Sequence, residues 1–329
     1  MKNIKSIFVM FLFLLPFSSC SKKNLESSKP VVLCTTFSVY DWCRNILAGT
    51  ENFELQLLNS KGSDMHSFQP SVQDMARLSS ADFLFYIGGE SEKWIEDVVA
   101  EKKNKNQFLI SLLELLGEDR KLESSEGIME KEEPLTEAEQ SRSYAPSSEE
   151  SEKPEYDEHV WLSLKNAVSY CIIFCGIFSE ADRENSATYF ENFTVYGKQI
   201  DTLYCKFRDA FNENTILLFA DRFPFRYFTD DYKVKYYAAF PGCSAETEAS
   251  FSTVINLADI VRENKLDTVY VLENSKGKMA ERIIDTAGTD TCVKVLDSIQ
   301  SVSLSDIDSG KTYLSIMQKN FETIFGNGA

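Results

Sequence analysis

The chain has 329 residues, and its 51 acidic against 34 basic side chains give a formal net charge of -17. That length exceeds one comfortable hydrophobic core, so we expect two lobes, by a prior of roughly 150 residues for each. The negative charge argues against a nucleic-acid partner, because neutralising phosphates requires clustered Lys and Arg.

The N-terminus has the pattern of a cleaved export signal. Two lysines precede an apolar run over residues 6–17, which is too short to span a bilayer, and small residues follow before Cys20. The four residues ending at Cys20 resemble a bacterial lipobox. We therefore predict a signal peptide over residues 1–19, lipid modification of Cys20 and a polar tether over residues 20–29, which would anchor the chain outside the cytoplasm at a bacterial membrane. A plain secretory signal with an incidental Cys20 is the alternative.

Strands and helices alternate over residues 30–178, the predicted N-terminal lobe. Such alternation indicates a parallel sheet flanked by helices, with ligands at the carboxyl ends of its strands. The predicted strands cover residues 30–35, 53–58, 83–87 and 108–111, and the predicted helices cover residues 39–47, 71–78 and 92–100.

The same alternation returns over residues 214–329, the predicted C-terminal lobe. Between the lobes, residues 179–213 begin with a cap-like Ser179 and contain no proline and only Gly197, so they are predicted as one long linking helix. The fold class is therefore α/β, with two lobes that are each a parallel sheet flanked by helices. The predicted strands cover residues 216–220, 234–239, 268–272 and 293–296, and the predicted helices cover residues 251–263, 278–287 and 311–325.

An acidic segment over residues 118–158 interrupts the first lobe. It holds fifteen acidic and five basic residues, three prolines and many serines. Such a composition is typical of a disordered loop, because it cannot bury enough apolar area to offset ordering entropy. A plain solvated tether and a metal-gathering loop remain open as its role.

The cysteines do not look like a disulfide framework. Seven remain after Cys20, and they are widely scattered. Cys171 and Cys175 lie at helical spacing inside an apolar run, and we interpret them as small buried hydrophobes rather than as a metal pair.

The chain has only two histidines, His66 and His159, and each follows shortly after a carboxylate. A lone histidine is usually structural, but two in similar settings favour a shared task. Neutral imidazole is the commonest protein ligand for zinc and also suits other first-row metals. Because a closed zinc site has four ligands, carboxylates from the second lobe are the natural complement.

These segments resemble the zinc- and manganese-binding receptors of ABC importers, the cluster A-I group, over about nine-tenths of the chain. Residues 62–71 (GSDMHSFQPS) match the segment that supplies the family's first histidine, with Met65 in place of a proline. Residues 158–167 (EHVWLSLKNA) match the segment of the second histidine. The resemblance implies that the chain captures a divalent metal between its lobes and delivers it to a membrane permease with its ATPase. Zinc is the first expectation and manganese the alternative.

The resemblance places the other two ligands in the second lobe. Strict alignment puts Arg222 at the third position, and a guanidinium cannot bind a metal. Asp221, one residue earlier, is the predicted substitute, and its pairing with a neighbouring arginine is the alternative. The fourth ligand matches Asp297, with Glu273 in reserve. The predicted metal ligands are thus His66, His159, Asp221 and Asp297.

Two other classes of function stay open. Two imidazoles and two carboxylates could activate water in a metal-dependent hydrolase. Against this, the sequence has no nucleophile elbow, no His-Glu-x-x-His helix and no spare histidine. A surface adhesin on the same fold is the third class, and the sequence does not address it.

Overall fold

The computed structural model describes residues 29–100, 102–123, 126–129, 155–243 and 249–326. The predicted signal peptide and Cys20 lie outside these residues.

The first lobe contains a four-stranded parallel sheet with flanking helices. Its strands are β1 (Val31–Cys34), β2 (Glu54–Leu57), β3 (Phe83–Tyr86) and β4 (Phe108–Ser111). Its helices are α1 (Phe37–Ile46), α2 (Val72–Ser80), α3 (Trp94–Ala100), α4 (Leu112–Leu116) and α5 (Leu164–Ala181). The strand order is β2-β1-β3-β4.

The second lobe follows the linking helix α6 (Ser186–Ala210) and repeats this arrangement. Its strands are β5 (Ile216–Phe223), β6 (Lys235–Pro241), β7 (Thr268–Leu272) and β8 (Cys292–Leu296). Its helices are α7 (Arg226–Tyr232), α8 (Phe251–Glu263), α9 (Lys278–Ala287), α10 (Leu304–Asp308) and α11 (Tyr313–Phe325). The strand order β6-β5-β7-β8 repeats that of the first sheet. In each sheet the order of the strands reverses next to the first strand of the lobe, and ligands bind at such a reversal point in this kind of fold. The predicted fold class is confirmed.

Helix α6 packs against both lobes. Its 25 residues span roughly 37 Å at about 1.5 Å per residue. In the first lobe, the Tyr196 hydroxyl donates to the buried Asp41 carboxylate at 3.2 Å. In the second, the Phe207 ring meets Phe228 and Phe321 edge to face, with centroids 5.0 and 5.1 Å apart. An unbroken helix cannot absorb the backbone rotations of a wide hinge, so we expect only small relative movements of the lobes.

The predicted start of the linking helix at Ser179 is wrong. Ser179 lies inside α5, which continues to Ala181, so its side chain does not cap a new helix. The break comes at Asp182, whose backbone leaves the helical region (φ -138°, ψ 83°). The Asp182 carboxylate accepts hydrogen bonds from Asn185 and Tyr189 at 2.8 and 2.7 Å, which fixes the corner before α6.

Helix α5 also carries Cys171 and Cys175, and both are buried as predicted. No helix in the part of the chain that the structure describes is long and apolar enough to cross a membrane. All seven cysteines after Cys20 lie in that part, and none of them is in a disulfide there.

The prediction of a disordered loop over residues 118–158 is wrong at both ends of the segment. Leu122 bridges Tyr156 in antiparallel fashion, and Ile128 bridges Ala238 of β6, in the other lobe. Ile128 is only 4% exposed. Ile128 is therefore a buried apolar side chain within a segment whose average composition predicts disorder. Residues 130–154 lie outside the described residues.

Two deletions test whether the ordered end of this segment contributes to stability while the rest does not. Replacing residues 131–153 by a short Gly-Ser linker should leave the melting temperature and zinc affinity close to those of the parent chain, because this stretch has little apolar area to bury. Extending the deletion to begin at Glu123 removes the buried Ile128, and burying such a side chain contributes about 1.5–3 kcal/mol. Thermal unfolding of the two variants checks this, and a large fall for the shorter deletion would contradict it.

Candidate metal centre

His66 is held by a short turn that follows β2. The turn Met65–Ser67 is one turn of 3-10 helix, and the Asp64 carboxylate accepts the backbone N–H of His66 at 3.0 Å. The side chain of Asp64 thus caps the turn, as aspartates two residues ahead often do. The His66 ring is fixed by the Ser91 hydroxyl, 2.7 Å from Nδ1. Its Nε2 atom consequently faces the second histidine.

His159 is fully buried, and an aspartate two residues earlier again fixes its backbone. The Oδ1 atom of Asp157, also two residues ahead, accepts the backbone N–H of His159 at 2.8 Å and lies 3.0 Å from its Nδ1. A carboxylate on one ring nitrogen fixes the tautomer and raises the basicity of the other nitrogen, an arrangement common among metal-binding histidines. Trp161 packs beside the ring, with centroids 5.3 Å apart.

The two imidazoles face each other nitrogen to nitrogen. The Nε2 atoms of His66 and His159 are 3.0 Å apart, so one of them donates a proton to the other. Two nitrogens bound to a tetrahedral zinc ion at about 2.05 Å would be about 3.3 Å apart, which requires a shift of only a few tenths of an ångström. The pair therefore has the spacing of two ligands of one ion.

The electrostatics of the pair follow from burial and from Asp157. Burial and the neighbouring His159 lower the pKa of His66 well below its ordinary value. Burial alone would also lower the pKa of His159, but Asp157 and Glu158 outweigh it, and the pKa of His159 is raised. His66 thus stays neutral, and the negative surroundings of His159 favour a cation at this point.

Cys243, which the sequence reasoning missed, joins this pair. Its Sγ atom and the nearest ring nitrogens of His66 and His159 all lie within 4.8 Å of one another. Cys243 follows β6 in the second lobe, and a Cβ atom on the preceding Gly242 would lie 3.0 Å from His159 Cε1 and 2.8 Å from a backbone oxygen. Only glycine allows this approach. Burial and then the Glu123 and Glu158 carboxylates raise the pKa of the thiol, whereas a bound metal ion deprotonates a coordinating thiol.

Asp221 does not belong to this group of three. Strand β5 continues past its predicted end at Ala220, with an irregular register between Phe219 and Arg222. The Asp221 carboxylate therefore lies inside the sheet edge, where it accepts backbone N–H groups of Arg222 and Leu272 at 2.9 and 3.3 Å. Its role as a ligand stays a prediction.

Arg222 reaches across the cleft instead. Its Nη2 atom lies 2.5 Å from Oδ2 of Asp64, the residue that caps the His66 turn. The position where the resemblance places the third ligand therefore carries a cation that is paired with the first lobe.

Asp297 lies beside the site but outside the group of three. Its Oδ1 atom accepts the backbone N–H of Ile299 at 2.8 Å. Trp161 Nε1–H donates to the backbone oxygen of Ser298 at 2.9 Å, which ties the loop of Asp297 to the loop of His159. Glu273 accepts two hydrogen bonds from Ser298, and its burial together with Asp297 raises the pKa of Glu273 to about 7.

The chain has two α/β lobes, each with a parallel sheet, that are joined by one long helix and have an imidazole pair at the cleft between them. This arrangement defines the class of two-lobed α/β ligand-binding proteins. A family model described as zinc-uptake complex component A, periplasmic, matches residues 32–326, and the chain belongs to that family. The family predicted from the two histidine segments is confirmed.

Named relatives extend this comparison. The zinc-binding lipoprotein AdcA of Streptococcus pneumoniae is 25% identical over 330 residues, which cover 98% of this chain and 60% of AdcA. The chain thus spans about three fifths of the length of that relative. The metal ABC transporter substrate-binding lipoprotein SsaB of Streptococcus sanguinis is 25% identical, with 98% of both chains covered. The crystal structure of the Zn(II)-bound ZnuA-like domain of S. pneumoniae AdcA has a TM-score of 0.65 at 21% identity and covers 91% of this chain and 100% of that domain, which shows the shared fold.

Proposed function

We propose that this chain captures a divalent transition metal, zinc before manganese, between its lobes and delivers it to an ABC importer. The observation that carries the proposal is the pair of Nε2 atoms of His66 and His159, 3.0 Å apart at the cleft. Their other ring nitrogens are held by Ser91 and Asp157, so both Nε2 atoms are directed to one point.

Capture at a cleft suits a receptor that must later release its ion. Both histidines belong to the first lobe, whereas Asp297 and Arg222 belong to the second. Polar contacts cross the cleft next to the site, among them Asp64 with Arg222 and Trp161 with Ser298. A small movement of one lobe would open the coordination shell without unfolding either lobe.

The proposed place of action is the outer face of a bacterial membrane. The N-terminal pattern that ends at Cys20 supports a lipid anchor, and the relatives AdcA and SsaB bear the name lipoprotein. The importer would consist of a membrane permease and its ATPase, and the chain would present the ion to the permease.

Metal content measured on the full chain tests the proposal. Elemental analysis of protein purified without chelator, followed by competition between zinc and manganese, should give about one zinc-class ion per chain and tighter zinc binding, as the affinity order of these metals requires. An esterase and phosphatase screen of the same sample tests the hydrolase alternative. No bound metal, or turnover in that screen, would overturn the proposal.

The two carboxylate predictions differ in their expected outcome. Asp297→Asn should weaken zinc binding by at least about 10-fold, the scale of losing a ligand or its orienting partner. Asp221→Asn should be milder, because the carboxylate of Asp221 already accepts two backbone N–H groups. Arg222→Gln serves as the matched control in the same strand. Isothermal titration of the three variants checks the order, and an equal loss for Asp221→Asn would restore that residue as a ligand.

A further inference from the structure

Cys243 brings a donor atom of the second lobe within 4.8 Å of both imidazoles. The position expected to supply a third ligand holds Arg222, which is paired with Asp64. Strand β6 lies next to β5, and the turn after β6 brings the Cys243 thiol to the imidazole pair. We propose that Cys243 is the third protein ligand, so that the ion is bound by two imidazole nitrogens and one thiolate. This inference rests on the proposed capture of a metal ion.

The turn that carries Cys243 is fixed against the first lobe. The backbone N–H of Cys243 donates to Oε1 of Glu123 at 2.9 Å. Gly242 lies against the His159 ring, in a space that would not hold a Cβ atom. These contacts set the thiol close to both imidazole rings independently of any bound ion.

The surroundings of the three donors are negative and buried. Glu158 is 1% exposed, and its Oε2 atom has no hydrogen-bond partner among the residues that the structure describes. Its Oε1 atom accepts the backbone N–H of Ser91, the residue that holds the His66 ring. An unpaired buried carboxylate oxygen is costly unless a cation lies near it, which is a second indication of a cation at this place.

The donor set also determines which metal is preferred. When the ion binds, the thiol proton leaves to solvent and the sulfur lone pair forms the bond to the metal. Thiolate is a soft ligand that suits zinc, whereas manganese is best served by carboxylate, carbonyl and water oxygens. A His-His-Cys set would therefore make this receptor select zinc over manganese more strongly than a set of imidazoles and carboxylates.

Cobalt substitution gives a direct reading of the thiolate. Cobalt(II) bound to a thiolate absorbs in the near ultraviolet by sulfur-to-metal charge transfer, and cobalt bound only by nitrogen and oxygen does not. The reduced full chain is titrated with cobalt, alongside Cys243→Ser and the matched control Cys292→Ser, whose cysteine is exposed in β8. The band should appear in the parent and in Cys292→Ser, and it should be absent from Cys243→Ser. Zinc affinity of Cys243→Ser should fall at least about 10-fold, and its zinc-to-manganese affinity ratio should fall with it.

The possible outcomes distinguish failure of the thiolate ligand from failure of the proposed metal capture. A parent chain that binds cobalt without the band, or an unchanged band in Cys243→Ser, overturns the thiolate ligand and leaves the proposed capture of metal intact. A parent chain that binds neither cobalt nor zinc overturns both. If Cys243→Ser does not fold, alkylation of the native parent chain replaces it: zinc should protect Cys243 and leave Cys292 equally reactive, and equal labelling of Cys243 with and without zinc would contradict the proposal.

Discussion

The double substitution His66→Ala with His159→Ala should abolish tight zinc binding while the chain stays folded. Each imidazole supplies one donor, and losing a single ligand or its orienting partner costs roughly 10- to 100-fold in affinity. The two residues are in contact and serve one ion, so their losses are coupled, and we expect the double variant to lose at least about 100-fold in zinc affinity. Isothermal titration measures the loss, and circular dichroism and thermal unfolding report whether the fold is kept.

The buried His159 makes a second version of this experiment necessary. Its replacement by alanine leaves a cavity and removes the contact between the ring and the Asp157 carboxylate, and both changes are destabilising. His66→Gln with His159→Gln keeps most of the volume and a polar side chain beside Asp157. A folded variant of either kind that binds zinc as the parent does would contradict the assignment of both histidines.

Asp157→Asn should weaken zinc binding by about 10- to 100-fold with little change in the fold. Asparagine has nearly the same size as aspartate, and its carbonyl oxygen can still accept the backbone N–H of His159. It lacks the charge that makes the opposite ring nitrogen more basic, and its amide fixes the tautomer less firmly. Zinc titration of the purified variant measures the effect.

Asp64→Asn is the matched control for this prediction. Asp64 caps the His66 turn as Asp157 caps the turn before His159, but hydrogen bonds join Asp64 to the backbone of His66 and to Arg222, not to a ring nitrogen. We therefore expect Asp64→Asn to reduce zinc affinity less than Asp157→Asn. Equal affinities for the two variants would mean that the contact between Asp157 and the His159 ring contributes nothing to binding.

The regular elements of both lobes could be predicted from the sequence because each is a short apolar run with a clear period. Helices α8 and α9 begin and end at the predicted residues, and β4 and β7 have their predicted bounds. The start of the linking helix cannot be read from Ser179, because serine occurs both at helix caps and inside helices. Only the backbone turn at Asp182 decides between the two.

The sequence alone singles out the two histidines that the structure brings together, and the reason is again local. His66 and His159 each follow an aspartate by two residues, and that spacing lets the carboxylate fix the turn on which the histidine lies. The contributions of the second lobe depend on tertiary contacts. Nothing local shows that β5 runs on to Phe223, that Arg222 pairs with Asp64, or that Gly242 leaves room for Cys243 at the imidazoles.

One measurement tests the central claim most directly: anomalous diffraction at the zinc absorption edge from crystals of the full chain grown with zinc. The account predicts one strong peak per chain, about 2.0–2.1 Å from the Nε2 atoms of both His66 and His159. A peak bound only by the acidic segment around residues 130–154, or no ordered zinc at the two histidines, would contradict it.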